Sequence, residues 1–194
     1  MKKSLDYLFI SKVRIKALKY FYFHPDIPIH LRGAVRELKE EINAVRRELN
    51  RLEEIKIVET ERRGNRKYYK LNRKHPYFDD ILAIIHKTFG LGGDLLRSLR
   101  KLNDVKFIVL TSSYTLGIPL EPNDIDLVIV GNVDLNFLDE LVSIAEKSIG
   151  RQINYTVLTE YDFEIRKKRR DTFITQIVTG NHILVYGDKT LFVS

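Results

Sequence analysis

Two aspartates one residue apart, Asp124 and Asp126, lie at the head of an apolar run, Leu127-Val-Ile-Val130. Alternate side chains of a strand share a face, so this spacing points both carboxylates the same way. Paired carboxylates are the oxygen ligands that Mg²⁺ takes, and Mg²⁺ in turn neutralises the phosphates of a nucleotide. Asp124 and Asp126 are therefore candidate metal ligands. A second apolar run, Phe107-Ile-Val-Leu110, leads into a turn of small residues that opens Thr111-Ser-Ser-Tyr-Thr-Leu-Gly117.

The elements that must position these residues read as an α/β succession. The pattern predicts a helix over 94–102, strands over 105–111 and 125–131, a helix over 135–149, a strand over 153–159 and a helix over 160–174. His182–Tyr186 and Leu191–Val193 read as short closing strands. Gly90-Leu-Gly-Gly93 breaks the pattern ahead of them and reads as a hinge, because it lacks the Lys-Ser/Thr of a phosphate-binding loop. The five histidines show no metal-ligand spacing, and Arg166-Lys-Lys-Arg-Arg170 reads as a solvated helix face, with phosphate contact as its alternative.

The first half reads differently. Helices are predicted over 11–23, 30–39 and 42–54, the first ended by the prolines after His24. Val45, Leu49 and Leu52 continue one apolar stripe from Ile42. Two alternating runs over 55–71 then flank Arg63-Gly-Asn-Arg66, a hairpin turn signal. A further helix is predicted over 77–88. Three helices and a basic hairpin are the order of a winged helix-turn-helix, whose second motif helix enters the major groove. Here that helix carries Asn43, Arg46, Arg47, Asn50 and Arg51. Arginine suits guanine edges and phosphates, and asparagine suits adenine. Arg62, Arg63, Arg66 and Lys67 lie at the hairpin tip as candidate DNA contacts, with Arg63, Arg66 and Lys67 expected to follow the backbone or enter the minor groove.

Charge supports that division. Residues 1–90 hold 21 Lys or Arg against 12 Asp or Glu, and residues 91–194 hold 12 against 14, within a net charge of +7. A basic half of this kind faces a polyanion. The 44% hydrophobic content suits a folded chain, and no apolar run approaches the ~20 residues that span a bilayer. The absence of cysteine excludes disulfides and thiolate metal sites, and a cytoplasmic location without a signal peptide is expected.

The second half resembles the nucleotidyltransferase superfamily of the DNA polymerase β type, in its minimal form. The resemblance rests on Ser112-Ser113, Gly117 and Asp124-x-Asp126. It implies that Ser112, Ser113 and Gly117 bind a nucleoside triphosphate and that Asp124 and Asp126 hold Mg²⁺. The sequence departs from the family at three positions, one of them Leu116, where the family is often basic. Ser112 stands where the family has Gly, and Asn154 aligns with a third carboxylate. Glu160 and Asp162 are the substitutes within reach along the chain. The first half resembles the ArsR-like winged-helix regulators, through Val45–Glu54 and the Arg-Gly-Asn-Arg tip. The whole chain is similar to prokaryotic fusions of the two, with Gly64–Asn72, Lys87–Gly90 and Gly150–Thr156 as supporting phrases.

The expected fold is therefore α+β in two domains: a winged helix-turn-helix with a linker helix over 1–90, and a nucleotidyltransferase-like α/β domain with a small mixed sheet over 91–194. The expected function is a DNA-binding transcriptional regulator, a homodimer on double-stranded DNA, whose second domain serves ligand sensing or assembly. No residue is assigned as catalytic and no cofactor is assigned outright; Mg²⁺ and a nucleoside triphosphate are those a functional second domain takes. An active Mg²⁺-dependent nucleotidyltransferase and a protein-interaction module are the alternatives.

Overall fold

The computed structural model describes residues 11–117 and 124–194. Expectations on residues 1–10 and on the spacer 118–123 lie outside the described residues. The fold is mixed α+β, with ten helices and two small sheets among the described residues. The chain divides into two compact units, Met1–Ile85 and His86–Ser194.

In the first unit, α1 (Lys12–Phe23), α2 (Leu31–Leu38) and α3 (Ile42–Glu54) precede a hairpin of β2 (Val58–Arg63) and β3 (Arg66–Leu71). A two-residue strand β1 (Ile29–His30), where a helix start was expected, pairs with β3 and sets the sheet order β1-β3-β2. It forms because His30 is the cap of α2: its Nδ1 accepts from the Gly33 N–H at 2.8 Å. The hairpin closes at Arg63↔Arg66 around Gly64-Asn65, with Gly64 at φ 58°. Ala17, Leu18, Phe21, Leu38, Val45, Leu49 and Leu52 bury the inward faces of the three helices. Among them lies a charge: Glu48, 2% exposed, receives Arg14 Nε at 2.5 Å, with Arg51 at 3.7 Å. That pair ties α3 to α1 on the inward face that Val45, Leu49 and Leu52 also bury.

Helix α4 (Phe78–Thr88) carries the boundary between the units. The glycines after it do not form the expected hinge. They open α5 (Gly90–Arg97), with Gly92 and Gly93 buried. A Cβ on Gly93 would collide with the carbonyl oxygen of Thr88, and one on Gly92 with that of His86. Close backbone approach, rather than flexibility, is what these glycines provide.

The second unit is built on a four-stranded mixed sheet of order β6-β5-β4-β7. β4 (Asn103–Thr111) runs antiparallel to β5 (Leu127–Val133) and β7 (His182–Tyr186), and β5 runs parallel to β6 (Tyr155–Leu158). The short helix α6 (Ser112–Thr115) follows β4, and α7 (Leu135–Ile149) links β5 to β6. α7 starts at Asp134, which accepts from Phe137 N–H, and stops at Gly150 with φ 73°. The helix expected over 160–174 is two: α8 (Glu160–Lys168) and α9 (Thr172–Thr179). Asp171 breaks it by capping α9 through Ile174 N–H at 3.2 Å. The segment 191–193, expected as a strand, lies in helix α10 (Lys189–Val193). Asp188 caps it, and Phe192 is buried against Phe107 and Phe163.

Two stability tests follow from these contacts. Gly93→Ala lowers unfolding stability in urea by about 2 kcal/mol, because a buried backbone has to move. Arg14→Ala costs about 2–3 kcal/mol by leaving Glu48 with a single distant partner. The double change Arg14→Met/Glu48→Leu costs less than Arg14→Ala, since no charge remains buried.

Candidate functional site

Each unit presents one candidate surface. In the first, α3 begins at Glu41, whose carboxylate accepts from Asn43 and Ala44 N–H at 2.8 and 2.9 Å. Those backbone hydrogen bonds hold its pKa below the usual carboxylate value. With Val45, Glu48, Leu49 and Leu52 facing inward, Asn43, Arg46, Arg47, Asn50 and Arg51 are all exposed. Positions 43, 46, 47 and 50 share one helix face. Arg46 Nη1 donates to Asn43 Oδ1 at 3.2 Å, which aligns the two side chains.

The hairpin tip divides into two kinds of residue. Arg62 and Arg66 are exposed. Arg63 is exposed too, pairs with Glu61 and lies 5.2 Å from the centre of the Tyr68 ring. Lys67 is different. Its ammonium bonds Glu53 at 2.5 Å and lies over the Tyr69 ring, so it fastens the hairpin to α3. The same bond holds Glu53 below the usual carboxylate pKa. Lys67 has a structural partner that its place in the sequence did not reveal.

In the second unit, Asp124 and Asp126 lie on the approach to β5 rather than within it. They therefore do not alternate as strand residues. Asp124 is partly exposed, whereas Asp126 has no exposed surface. Asp126 N–H donates to the Asn154 carbonyl at 2.7 Å, and its own carbonyl accepts from Thr111 N–H at 3.0 Å. This fixes the aspartate between the ends of β4 and β6.

Its carboxylate accepts three hydrogen bonds, with both oxygens engaged. Arg151 Nη1 donates to Oδ2 at 2.8 Å and Nη2 to Oδ1 at 2.9 Å. Asn154 N–H adds a third hydrogen bond, to Oδ2 at 3.2 Å. Nη1 also reaches the Gln152 carbonyl at 2.9 Å, and Nη2 the Ser113 carbonyl at 3.4 Å. Hydrogen bonding to Asp126 raises the Arg151 pKa above its usual value. The guanidinium lies 5.9 Å from the centre of the Tyr114 ring. Burial pushes the Tyr114 hydroxyl up to about 12.

The remaining expected positions surround this pair. Ser112 and Ser113 start α6, and Gly117 follows it at φ 64°, exposed. Asn154, aligned with a third carboxylate, donates its side-chain amide to the Asp124 backbone carbonyl at 3.0 Å. Both substitute carboxylates have other partners: Glu160 pairs with Lys106 at 2.8 Å, and Asp162 accepts from the Thr159 hydroxyl at 2.7 Å. Among the described residues, no group of three or more His, Asp or Glu is arranged to hold a metal ion. With Arg151 on both oxygens of its carboxylate, Asp126 as arranged here does not present an open position for Mg²⁺. Arg151 is the residue that sequence reasoning passed over. Its signal was local: an arginine three places before a neutral residue at an expected acidic position.

No family model and no curated protein matches this chain. Among solved structures, similarity is found to human N-acetylserotonin methyltransferase in complex with SAM. Identity is 14%, the TM-score is 0.31, and the match covers 61% of this chain and 37% of that one. A likeness at that level carries no argument about fold or activity.

One buried group beside the site makes a pH test. His86 is 2% exposed and stacks edge-on against Tyr114 at 5.8 Å. Burial pulls its pKa from 6.5 down to about 4, opposed in part by a backbone hydrogen bond with Thr115. The folded chain keeps the ring neutral while the unfolded chain protonates it. The contribution is therefore full above pH 6.5 and is lost as pH falls through about 4. Its span is about 3 kcal/mol. Urea unfolding followed from about pH 7 to about pH 4 should show this decline, and His86→Leu should flatten it.

Proposed function

We propose that the chain is a DNA-binding transcriptional regulator of the cytoplasm, with a winged helix-turn-helix as its first unit. The carrying observation is the outward face of α3, where Asn43, Arg46, Arg47 and Asn50 are exposed together. Arg62 and Arg66 at the hairpin tip supply a second basic contact beside it in the same unit. A helix of this composition suits the major groove, and a basic hairpin suits the phosphates that flank it. The excess of Lys and Arg over residues 1–90 supplies the long-range attraction.

The partner is double-stranded DNA, and a homodimer reading two half-sites is the arrangement that a two-fold operator demands. We take α4 and α1 as the pairing surface; Ile84 on α4 and Tyr77 just before it are 39% and 65% exposed. No helix among the described residues is long and apolar enough to cross a membrane. We assign the second unit, as a nucleotidyltransferase-like domain of the regulator, to ligand sensing or assembly. The engagement of Asp126 by Arg151 argues against the alternative of an active Mg²⁺-dependent transferase.

Selection of duplex fragments from genomic DNA, under competitor DNA at physiological salt, tests the regulator. A two-fold-symmetric site should be enriched and should be lost with Arg46→Ala/Arg47→Ala. Lys67→Ala should instead lower stability and leave the selected site unchanged, since Lys67 is held by Glu53. Absence of any enriched site would overturn the regulator reading.

A further inference from the structure

A carboxylate that binds Mg²⁺ needs free lone pairs directed at the ion, at about 2.0–2.1 Å. Asp126 uses three of its roughly four acceptor sites, and at least one on each oxygen. Its two oxygens accept from both terminal nitrogens of Arg151, and Oδ2 accepts again from Asn154 N–H. A guanidinium bound in this fork-to-fork manner delivers a full positive charge to a group with no exposed surface. Around it, the position aligned with a third carboxylate is the neutral Asn154, turned to the Asp124 carbonyl. A site for two divalent ions would concentrate negative charge. Here an arginine lies on the one carboxylate that is buried.

We propose that Arg151 is a resident cation that takes the place of a divalent metal at Asp126, and that the second unit holds this site together without a metal ion. The proposal rests on the reading of Asp124 and Asp126 as a metal-binding pair by descent. Arg151 also reaches the Ser113 and Gln152 carbonyls, so one side chain ties the turn after β4 to the approach to β6. A metal ion would have to displace the guanidinium from all of these acceptors. Removing the guanidinium should therefore uncover an Asp126-dependent metal site.

The test uses the full chain and Mn²⁺ alone, then Mn²⁺ with a non-hydrolysable ATP analogue. Binding is followed by loss of the free Mn²⁺ electron paramagnetic resonance signal, and folding by thermal melting. Wild type should bind no Mn²⁺ in an Asp126-dependent manner under either condition. Arg151→Ala and Arg151→Gln should melt at lower temperature, and Mn²⁺ or Mg²⁺ should raise their melting temperature. Their Mn²⁺ affinity should fall at least tenfold when Asp126→Asn is added. If either variant needs help to fold, Mg²⁺ should supply it, and failure of Mg²⁺ to do so counts against the proposal. Mn²⁺ binding by wild type that Asp126→Asn weakens tenfold would overturn it while leaving the metal-pair reading intact. No Asp126-dependent binding in any variant would sink both. DNA selection by wild type is read separately, so failure of the regulator function remains distinguishable from either result.

Discussion

A carboxylate with no exposed surface must be paired, and the second unit is arranged around that requirement at Asp126. Taking a carboxylate out of water costs several kcal/mol, which only a well-aligned counter-charge and further hydrogen bonds offset. Arg151 and the Asn154 N–H provide both. The pair joins residues 25 positions apart. It sits where β4 hands over to α6, where β5 begins and where the chain approaches β6. The carbonyls of Ser113 and Gln152 accept from the same guanidinium, so the geometry of the turn and of the strand ends is set together.

The first unit solves a similar problem with a different consequence. Glu48 is buried on the inward face of α3 and is met by Arg14 from α1. This contact, together with Val45, Leu49 and Leu52, fixes the rotation of α3 about its axis. Arg46, Arg47 and Asn50 are exposed as a result. The basic outer face therefore depends on an acidic residue on the inner one. Lys67 belongs to the same framework, because its bond to Glu53 holds the hairpin against the helix end.

Much of this architecture was legible in the chain. The apolar period of Val45, Leu49 and Leu52 marks α3, and Gly64-Asn65 marks the hairpin. Asp134 and Gly150 bracket α7 at the positions that capping requires. Other features were misread for definable reasons. Gly90-Leu-Gly-Gly93 suggests flexibility, yet the glycines are there because carbonyl oxygens of α4 crowd them. Leu191-Phe-Val193 has strand-forming composition. A cap from Asp188 and the burial of Phe192 among aromatic rings make it helical. The break at Asp171 involves neither Gly nor Pro, so only its capping chemistry announced it.

By itself, the sequence determined the periodic elements, the concentration of basic charge in the first half and the paired aspartates beside apolar strands. These are local properties, carried by composition and spacing within a few turns. The tertiary structure alone decided what Asp126 faces. Antiparallel β4–β5 and parallel β5–β6 pairing bring Thr111, Asp126 and Asn154 to one end of the sheet. That placement puts Arg151 within reach of a carboxylate that spacing had assigned to a metal. An ion pair between distant residues depends on strand order and burial, and neither is written in the local pattern.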